Sequence, residues 1–373
     1  MADKNNNITS EEKITEMKGK NKNGRKPFYK IVIFMLIICV VFIYLNKVFT
    51  ISASDSNKQI FNALYAEEND TIDVMYFGTS ASNRYFIAPK AYNDTGVASF
   101  TLATMGMPMF FVSNLVEEVE KTQSPKLYIV ELRWFLKEKE QLTDAHIRRV
   151  TDSMKFSSNR NDAIKKGLSF TKNVENNDID DEKLSYYIPL IKYHSRLETG
   201  DMKPYEFFLY NRKNMTKGYV TSSKTLERVP QKQPVYSDEK ACMSPESEKT
   251  LTDMLDYFDK HNKQVLFVLS PYSMKEGQNE VFNTAIEMVE NRGYTVLNFN
   301  TEEMAQKLGL NWNKDFYNSK HVNFIGAEKY TDYLSQYIKK HYHLKDHRGE
   351  KKYQSYDDSY EYYKNFIKEG IQQ

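Results

Sequence analysis

Several features that mark common classes of protein are absent from this chain. It has two cysteines in 373 residues, Cys39 and Cys242, and no metal-site spacing surrounds either one. A disulfide between them is not expected, because Cys39 lies inside an apolar run. No glycine-rich phosphate loop follows the first predicted strand, which argues against a nucleotide-binding domain. We therefore expect no metal and no cofactor.

An excess of one charge is also missing. The chain carries 52 Lys and Arg against 50 Asp and Glu, a net charge of +2. This balance gives no electrostatic reason to expect nucleic acid as a partner. The length is enough for one large domain or two modest ones.

One long apolar run is present, near the N-terminus. Ile31 to Leu45 is free of charge, and flanking apolar residues extend it over 28–51, enough for a membrane span of about 20 residues. Basic residues are frequent before the run and sparse after it. The positive-inside rule then predicts a disordered cytoplasmic tail over 1–27, a transmembrane anchor over 28–51 and an extracytoplasmic body. The expected localisation is the cell membrane, as a single-pass protein.

A cleaved signal peptide is the alternative interpretation of this N-terminal run. Ser52, Ala53 and Ser54 are small residues of the kind found at cleavage sites. We favour the uncleaved anchor because both the apolar run and the basic segment before it are long. No second span is predicted later in the chain.

The body alternates strand-like and helix-like segments, which is typical of an α/β fold with a parallel sheet. Short apolar runs with few polar interruptions predict strands that are covered on both faces. They are Ile72–Phe77, Val97–Leu102, Leu127–Leu132, Val265–Leu269 and Tyr294–Phe299. A long insertion over 136–243 is expected to form a lid or subdomain, and 345–373 is a charged tail, either an exposed helix or disordered.

Two short segments 241 positions apart carry the residue types of a nucleophile and its base. Ser80 follows Gly78 and Thr79 in a small-residue turn after the first strand, where a hydroxyl can reach the carboxyl edge of the sheet. His321 lies in a polar loop before an amphipathic helix, where a histidine can act as a base. Each also has a simpler explanation: Ser80 only caps a helix, and His321 is only a surface residue.

Together these segments resemble the SGNH/GDSL hydrolase superfamily, in its membrane-anchored, DltD-like branch. Gly78-Thr79-Ser80 resembles the first block of the family, which supplies the nucleophile. Leu102–Pro108 resembles the second block, in which the amide of Gly106 helps to build an oxyanion hole. Asn318–His321 falls where the family carries Asp-x-x-His.

The resemblance also implies a fold and further site residues. The fold would be a flavodoxin-like, three-layer sandwich around a parallel five-stranded sheet, occupying residues 52–344 with the insertion. Segments 147–153 and 193–196 look like parts of this branch, so His194 and Arg196 are candidates to line the site. Thr79 is expected either to cap the helix or to line the site with them.

Two departures from the family pattern bear on the chemistry. Asn318 replaces the acid, so Asp315 is a candidate to supply the carboxylate, or Ser80 and His321 act as a dyad. The Gly-x-Asn-Asp block is missing, and Arg133 stands after the third strand instead. Arg133 is a candidate oxyanion donor beside the Ser80 and Gly106 amides; a structural ion pair with Glu131 or another acid is equally compatible.

The resemblance implies an O-acyltransferase that acts through a serine acyl-enzyme on a cell-envelope polymer, either a glycan or a teichoic-acid-like chain. A multi-pass membrane-bound O-acyltransferase would be its partner, together with the bilayer itself. Two alternatives remain: an extracytoplasmic carbohydrate esterase or deacylase, and a catalytically inactive SGNH-like scaffold for envelope assembly. The sequence does not separate transfer of an acyl group from its removal.

Overall fold

A computed structural model of the chain describes residues 10–52, 54–134, 142–171, 183–199, 210–212 and 214–372. The α-helices are α1 Ser10–Val48, α2 Ser56–Tyr65, α3 Ser80–Asn83, α4 Ala88–Thr95, α5 Val112–Val119, α6 Asp144–Thr151, α7 Ser158–Phe170, α8 Lys183–Tyr187, α9 Pro189–Tyr193, α10 Arg196–Thr199, α11 Pro245–Lys260, α12 Gln278–Asn291, α13 Glu302–Lys307, α14 Phe324–Tyr342 and α15 Gln354–Gln372. The strands are β1 Val74–Gly78, β2 Ser99–Ala103, β3 Leu127–Glu131, β4 Val265–Leu269, β5 Thr295–Asn298, β6 Phe316–Asn318 and β7 His321–Val322. Short 3₁₀ helices cover Met109–Phe111, Leu132–Trp134, Ser223–Leu226 and Lys351–Tyr353.

The chain divides into two compact units. The first is Met1–Thr50 with Ile188–Lys203, and the second is Ile51–Tyr187 with Pro204–Gln373. The first unit therefore holds α1, α9 and α10, and the second holds the sheet and the remaining helices.

The first unit is built on the apolar part of α1. Phe28–Val48 has a mean hydropathy of 2.7 and is the one helix of the described residues long and apolar enough to span a membrane. The predicted apolar segment is therefore confirmed as a helix of this length and composition, which ends at Val48 rather than at residue 51.

The predicted disordered tail is helical over much of its length, because α1 begins at Ser10. Residues 1–9 lie outside the described residues. Nucleation is the costly step of helix formation, whereas extending an existing helix costs little. A polar segment joined to the apolar helix can therefore continue it, although its composition alone predicts disorder.

The second unit is built on a parallel five-stranded sheet with the order β2-β1-β3-β4-β5. All five predicted strands are confirmed, within one or two residues at their ends. The order 2-1-3-4-5 is that of flavodoxin-like folds. Each of the first four strands is buried along its whole length, which explains why it reads as a short, nearly continuous apolar run.

Helices cover both faces of the sheet, which gives three layers. Alternate side chains of one strand point to opposite faces, so Met75 and Phe77 pack on one side of β1 and Val74 and Tyr76 on the other. The first face meets α2, α5, α7, α11 and α12. The second face meets α4 and α14, with Tyr363 of α15 beside them.

The predicted insertion is not a single subdomain in the described residues. Helices α6, α7 and α8 belong to the second unit, whereas α9 and α10 belong to the first. Residues 135–141, 172–182, 200–209 and 213 lie outside the described residues. The remainder, 214–243, has one short 3₁₀ helix and otherwise runs without regular structure along the second unit, with backbone hydrogen bonds to Asn83, Trp312, Phe316 and Glu280.

The C-terminal segment is part of the second unit rather than an exposed tail. Helix α15 buries Tyr356 and Tyr363, and Tyr356 stacks on Tyr92 of α4 at a ring distance of 4.8 Å. The Lys217 ammonium lies 2.7 Å from the Ser355 hydroxyl and 2.8 Å from a Glu67 carboxylate oxygen. A buried ion pair thus joins the end of α2, the 214–243 segment and α15.

We expect Glu67→Gln to destabilise the second unit. The Lys217 and Glu67 side chains are only 1% and 2% exposed, and burial lowers the pKa of Lys217 to about 8. Removing one partner of such a pair costs about 3 kcal/mol or more of unfolding free energy. Urea unfolding of the full chain in detergent, followed by tryptophan fluorescence, measures this loss.

The exposed pair of Lys165 and Asp162 provides the control, because its side chains are 68% and 62% exposed. Asp162→Asn should change the unfolding free energy by less than about 1 kcal/mol. Equal effects of the two substitutions would show that the buried pair does not hold these segments together.

Candidate active site

The site lies where the chain order of the sheet reverses. Strand β1 stands between β2 and β3, so the connections after β1 and β3 leave the sheet side by side at its carboxyl edge. Ligands of open parallel sheets bind in the crevice at such a switch point. Ser80 follows β1 and Arg133 follows β3, so the topology brings both predicted site residues to this crevice.

The turn after β1 is packed so tightly that it requires glycine at position 78. A Cβ atom there would lie 1.9 Å from the Ser82 hydroxyl oxygen and 2.8 Å from the Glu131 Cβ. Thr79 is buried, and its hydroxyl accepts a hydrogen bond from the Ala81 amide at 3.1 Å. Thr79 therefore caps α3 with its hydroxyl rather than lining the site. Ser80 is the first residue of α3 and is half-buried.

His321 is presented by a hairpin rather than by the loop predicted from the sequence. Strands β6 and β7 pair antiparallel, with Asn318 opposite His321 across the turn at Ser319 and Lys320. The His321 Nε2 lies 2.9 Å from the Ser80 Oγ. The two predicted residues, separated by 241 positions, are therefore within hydrogen-bonding distance.

Asn318 occupies the position behind the imidazole. Its Oδ1 lies 3.0 Å from the His321 Nδ1 and also accepts a hydrogen bond from the Lys320 amide at 2.9 Å. Because the Lys320 N–H donates to it, the Asn318 atom that faces the ring is its amide oxygen, which can only accept. The Nδ1 of the neutral His321 ring must therefore carry the proton and donate to this oxygen. The Nε2 is then free of a proton and accepts the Ser80 hydroxyl hydrogen.

Asp315 does not take the place of the missing acid. Its carboxylate is buried and binds the Lys329 ammonium at 2.7 Å and the Asn311 amide at 2.6 Å. Its backbone carbonyl accepts from the backbone amide of Asn323, the N-cap residue of α14. The prediction that Asp315 supports the ring is therefore corrected: Asp315 ties the loop before β6 to α14.

Arg133 reaches the loop that carries His321. Its guanidinium donates to the Lys320 carbonyl at 2.7 Å and to the Ser270 hydroxyl at 3.2 Å. The Tyr85 hydroxyl lies 3.0 Å from the same Lys320 carbonyl and donates to Pro271 at 2.6 Å. Two side chains from different strand connections thus fix the peptide unit directly before His321.

Glu131 holds Ser270, one of the two residues to which the Arg133 guanidinium donates. It is fully buried at the end of β3, and its carboxylate accepts from the Ser270 amide at 3.1 Å and from the Tyr76 hydroxyl at 3.1 Å. Burial raises the pKa of Glu131. Its link to Arg133 is a hydrogen bond of 3.3 Å from the Arg133 backbone amide.

The imidazole is surrounded by positive charge. Burial, together with the nearby cations of Arg133, Arg84 and Lys320, lowers the pKa of His321 to about 3. Arg84 donates to the Val220 carbonyl at 2.8 Å and to the Ser222 hydroxyl at 3.1 Å. The ring is therefore neutral at physiological pH and can accept a proton.

The second predicted block lies beside the first. Gly78 pairs with Ala103, so the loop after β2, which carries Gly106, leaves the sheet next to Ser80. Gly106 has φ of +68°, a conformation that favours glycine. The buried side chain of Asn57 accepts from the Met105 amide at 3.0 Å and fixes this loop. The amides of Gly106 and Ser80 as oxyanion donors remain a prediction, as does Arg133 in that role.

His194 and Arg196 belong to the first unit. The His194 Nδ1 lies 2.9 Å from the Ile191 carbonyl, and the Arg196 guanidinium donates to the Thr50 carbonyl. Their place beside the Ser80 site stays a prediction. In the second unit, sequence reasoning missed Tyr85, Ser270 and Arg84. Ser270 directly follows β4, so the rule that strand ends meet at one edge could have found it.

No protein-family model matches the chain, and no curated protein sequence matches it. Among the described residues, no group of three or more His, Cys, Asp and Glu side chains could hold a metal ion. The function must therefore be argued from the site itself.

The surroundings of His321 predict that its ring stays neutral at pH values well below the ordinary histidine pKa of about 6.5. In NMR spectra of the full chain labelled with ¹³C at histidine Cε1, one resonance should keep its shift from about pH 8 to about pH 5. Its absence from the His321→Gln variant assigns it. A midpoint near the ordinary value of about 6.5 would contradict the site described above.

The lowered pKa of His321 also predicts how the unfolding free energy changes with pH. The folded pKa lies below the unfolded value of about 6.5, so the unfolded chain binds more protons between the two values. Stability associated with the neutral ring is complete above the unfolded pKa and is lost as pH falls toward the folded one. The unfolding free energy of His321→Gln should depend less steeply on pH in this window.

Proposed function

We propose that this protein is a membrane-anchored O-acyltransferase that acts through a serine ester at Ser80. The observation that carries the proposal is the 2.9 Å contact between the Ser80 Oγ and the His321 Nε2 at the switch point of a parallel sheet. A hydroxyl paired with a neutral imidazole is the arrangement that activates serine for attack on a carbonyl. The proposal agrees with the resemblance to the SGNH, DltD-like branch.

In the first step His321 takes the hydroxyl proton while Ser80 attacks the carbonyl carbon of an acyl donor. The leaving group then receives that proton from the Nε2, and the acyl group remains on Ser80 as an ester. A second hydroxyl attacks the ester, with His321 as base again, and releases Ser80. The backbone amides of Ser80 and Gly106 are the proposed donors to the oxyanion, a contribution worth about 10²–10³ in turnover for one donor elsewhere.

The charge around the ring favours an anionic acceptor. Proton transfer turns the imidazole into a cation beside Arg133, Arg84 and Lys320, which opposes the step. The guanidinium groups of Arg84 and Arg133 hydrogen-bond to neutral carbonyl and hydroxyl oxygens, and the buried Glu131 offsets the charge of Arg133 only in part. An acceptor that carries phosphate would offset this charge, so we propose a polyol-phosphate, teichoic-acid-like chain in preference to a neutral glycan.

The apolar helix Phe28–Val48 supports transfer at a membrane rather than hydrolysis in solution. We place the second unit outside the cell, with a multi-pass membrane-bound O-acyltransferase as the partner that delivers acyl groups. The same geometry serves an esterase when water replaces the acceptor. The fate of the acyl label therefore decides the direction of the reaction.

One observation favours a second candidate, an inactive scaffold for envelope assembly. Asn318 carries no charge to stabilise an imidazolium, and replacing the acid by its amide cost about 10⁴ in turnover in another serine triad. A scaffold needs the fold and the anchor but not the Ser80 hydroxyl. Substitution of Ser80 alone therefore separates the two candidates.

Ser80→Ala should abolish acceptor labelling. With a chromogenic acetyl ester as donor and polyglycerol phosphate as acceptor, the full chain should form an acetyl ester on Ser80 and pass labelled acetyl to the acceptor. Mass spectrometry of the trapped enzyme and counting of the labelled polymer measure the two steps. Ser82→Ala, a buried serine of the same short helix, is the matched control and should retain both.

In cells, Ser80→Ala should fail to restore polymer acylation to a deletion strain. Normal acylation in that strain would support the scaffold and exclude the serine mechanism. Label that ends only in water, whether or not acceptor is present, would instead support the esterase.

Asn318→Asp should make the enzyme faster and change its pH dependence. A carboxylate in the place of the amide would accept from the same Nδ1–H and Lys320 N–H groups and would stabilise the imidazolium. We expect turnover to rise about tenfold or more, a part of the roughly 10⁴ that the acid contributes elsewhere. The acid limb of kcat/KM should move to higher pH, because the carboxylate raises the pKa of His321.

Asn291→Asp, at the exposed end of α12, adds the same charge elsewhere on the second unit and should change neither quantity. Asn318→Ala removes the ring's acceptor and should slow turnover. An Asn318→Asp variant that folds normally but shows the wild-type rate and pH profile would mean that His321 does not become charged during the reaction.

A further inference from the structure

The first unit contains a short segment that packs on one end of the apolar helix. Residues 188–199 form the helices α9 and α10, and α9 contacts α1. The Leu190 amide donates to the Asn46 side-chain oxygen at 3.3 Å, and the Arg196 guanidinium donates to the Thr50 carbonyl. These contacts fix the level of the segment along the axis of α1.

That level coincides with the end of the bare part of α1, by which we mean the exposed residues Phe28–Tyr44. Every residue from Phe28 to Tyr44 is exposed, whereas Asn46 and the three residues Val48, Phe49 and Thr50 are buried. A helix rises about 1.5 Å per residue, so residues 28–44 span about 25 Å. The hydrocarbon core of a bilayer is about 30 Å thick. A thickness of about 30 Å takes about 20 residues, which counted from Phe28 end at Lys47, between Asn46 and Thr50. The 188–199 segment therefore meets α1 where a bilayer spanned by α1 passes from hydrocarbon to headgroups.

The segment has the composition of an interfacial peptide. Ile191 and Leu197 are 44% and 65% exposed, although both are large and apolar. Tyr193, Lys192 and Arg196 lie between them in the chain, and aromatic and basic side chains are typical of the membrane interface. At the level of the headgroups, the apolar side chains can enter the acyl chains of the lipids while the polar side chains of the same segment stay among the headgroups.

We propose that residues 188–199 lie in the membrane interface, with Ile191 and Leu197 inserted among the lipids. The inference rests on the proposed membrane anchor, and it adds a second point of attachment to α1. The contacts with Asn46 and Thr50 then set the height of this segment relative to the lipid surface. The covering partner is lipid, rather than a second copy of the chain or another membrane protein.

Site-specific fluorescence quenching tests this placement in the full chain. Cys39 and Cys242 are replaced by alanine, and a single cysteine at 191 or 197 is labelled with the environment-sensitive dye NBD. The protein is reconstituted in vesicles of phosphatidylcholine and phosphatidylglycerol that contain lipid with a nitroxide near the headgroup or deep in the acyl chain. We expect blue-shifted emission that the shallow nitroxide quenches more than the deep one.

Two control positions separate failure of this inference from failure of the anchor. Ile37 lies in the middle of the bare part of α1 and should be quenched best by the deep nitroxide, whereas the exposed Val235 of the second unit should be quenched by neither. Quenching at 37 without quenching at 191 and 197 overturns the inference and leaves the anchor intact. Blue-shifted but unquenched emission at 191 and 197 means that protein covers them, which also overturns it. No quenching at 37 overturns both.

Discussion

The hydrogen bond between the Ser80 hydroxyl and the His321 imidazole depends on the geometry of one carboxyl edge of the sheet. Ser80 is held by a turn in which glycine alone fits, and His321 is held by a hairpin whose preceding carbonyl is bound by Arg133 and Tyr85. These supports come from the connections after β1 and β3. The adjacency of those strands is therefore what permits a contact across 241 positions.

Much of the fold could be predicted from the sequence because the first four strands of the sheet are buried along their whole length. Such strands read as short apolar runs, and all five were found in this way. The two catalytic candidates were found because a small-residue turn after a strand and a late histidine are recognisable locally. The C-terminal helix offered a signal as well, since Tyr356, Tyr360 and Tyr363 repeat at helical spacing.

Other parts of the site had no local signal. Strands β6 and β7 have three and two residues, too short for any periodicity to appear. Arg133 binds Ser270 and Lys320, which lie 137 and 187 positions further along the chain. Only the folded chain could therefore show that Arg133 supports the loop before His321. Asp315 was a reasonable candidate by spacing, but the nearer attraction of Lys329 determines its position.

The absence of an acid and the presence of three cations belong to one electrostatic arrangement. With a carboxylate behind the ring, His321 would be stabilised as a cation in every state; with Asn318 there, the free site favours a neutral ring. Any charge that His321 gains must then be balanced by what binds, either the oxyanion or an anionic acceptor. The oxyanion forms with either nucleophile, so in the proposed transfer reaction a phosphate on the acceptor would add to this balance and assist the proton transfer, whereas water would add nothing. This dependence links the acceptor's charge to the rate and gives a physical reason for transfer to exceed hydrolysis.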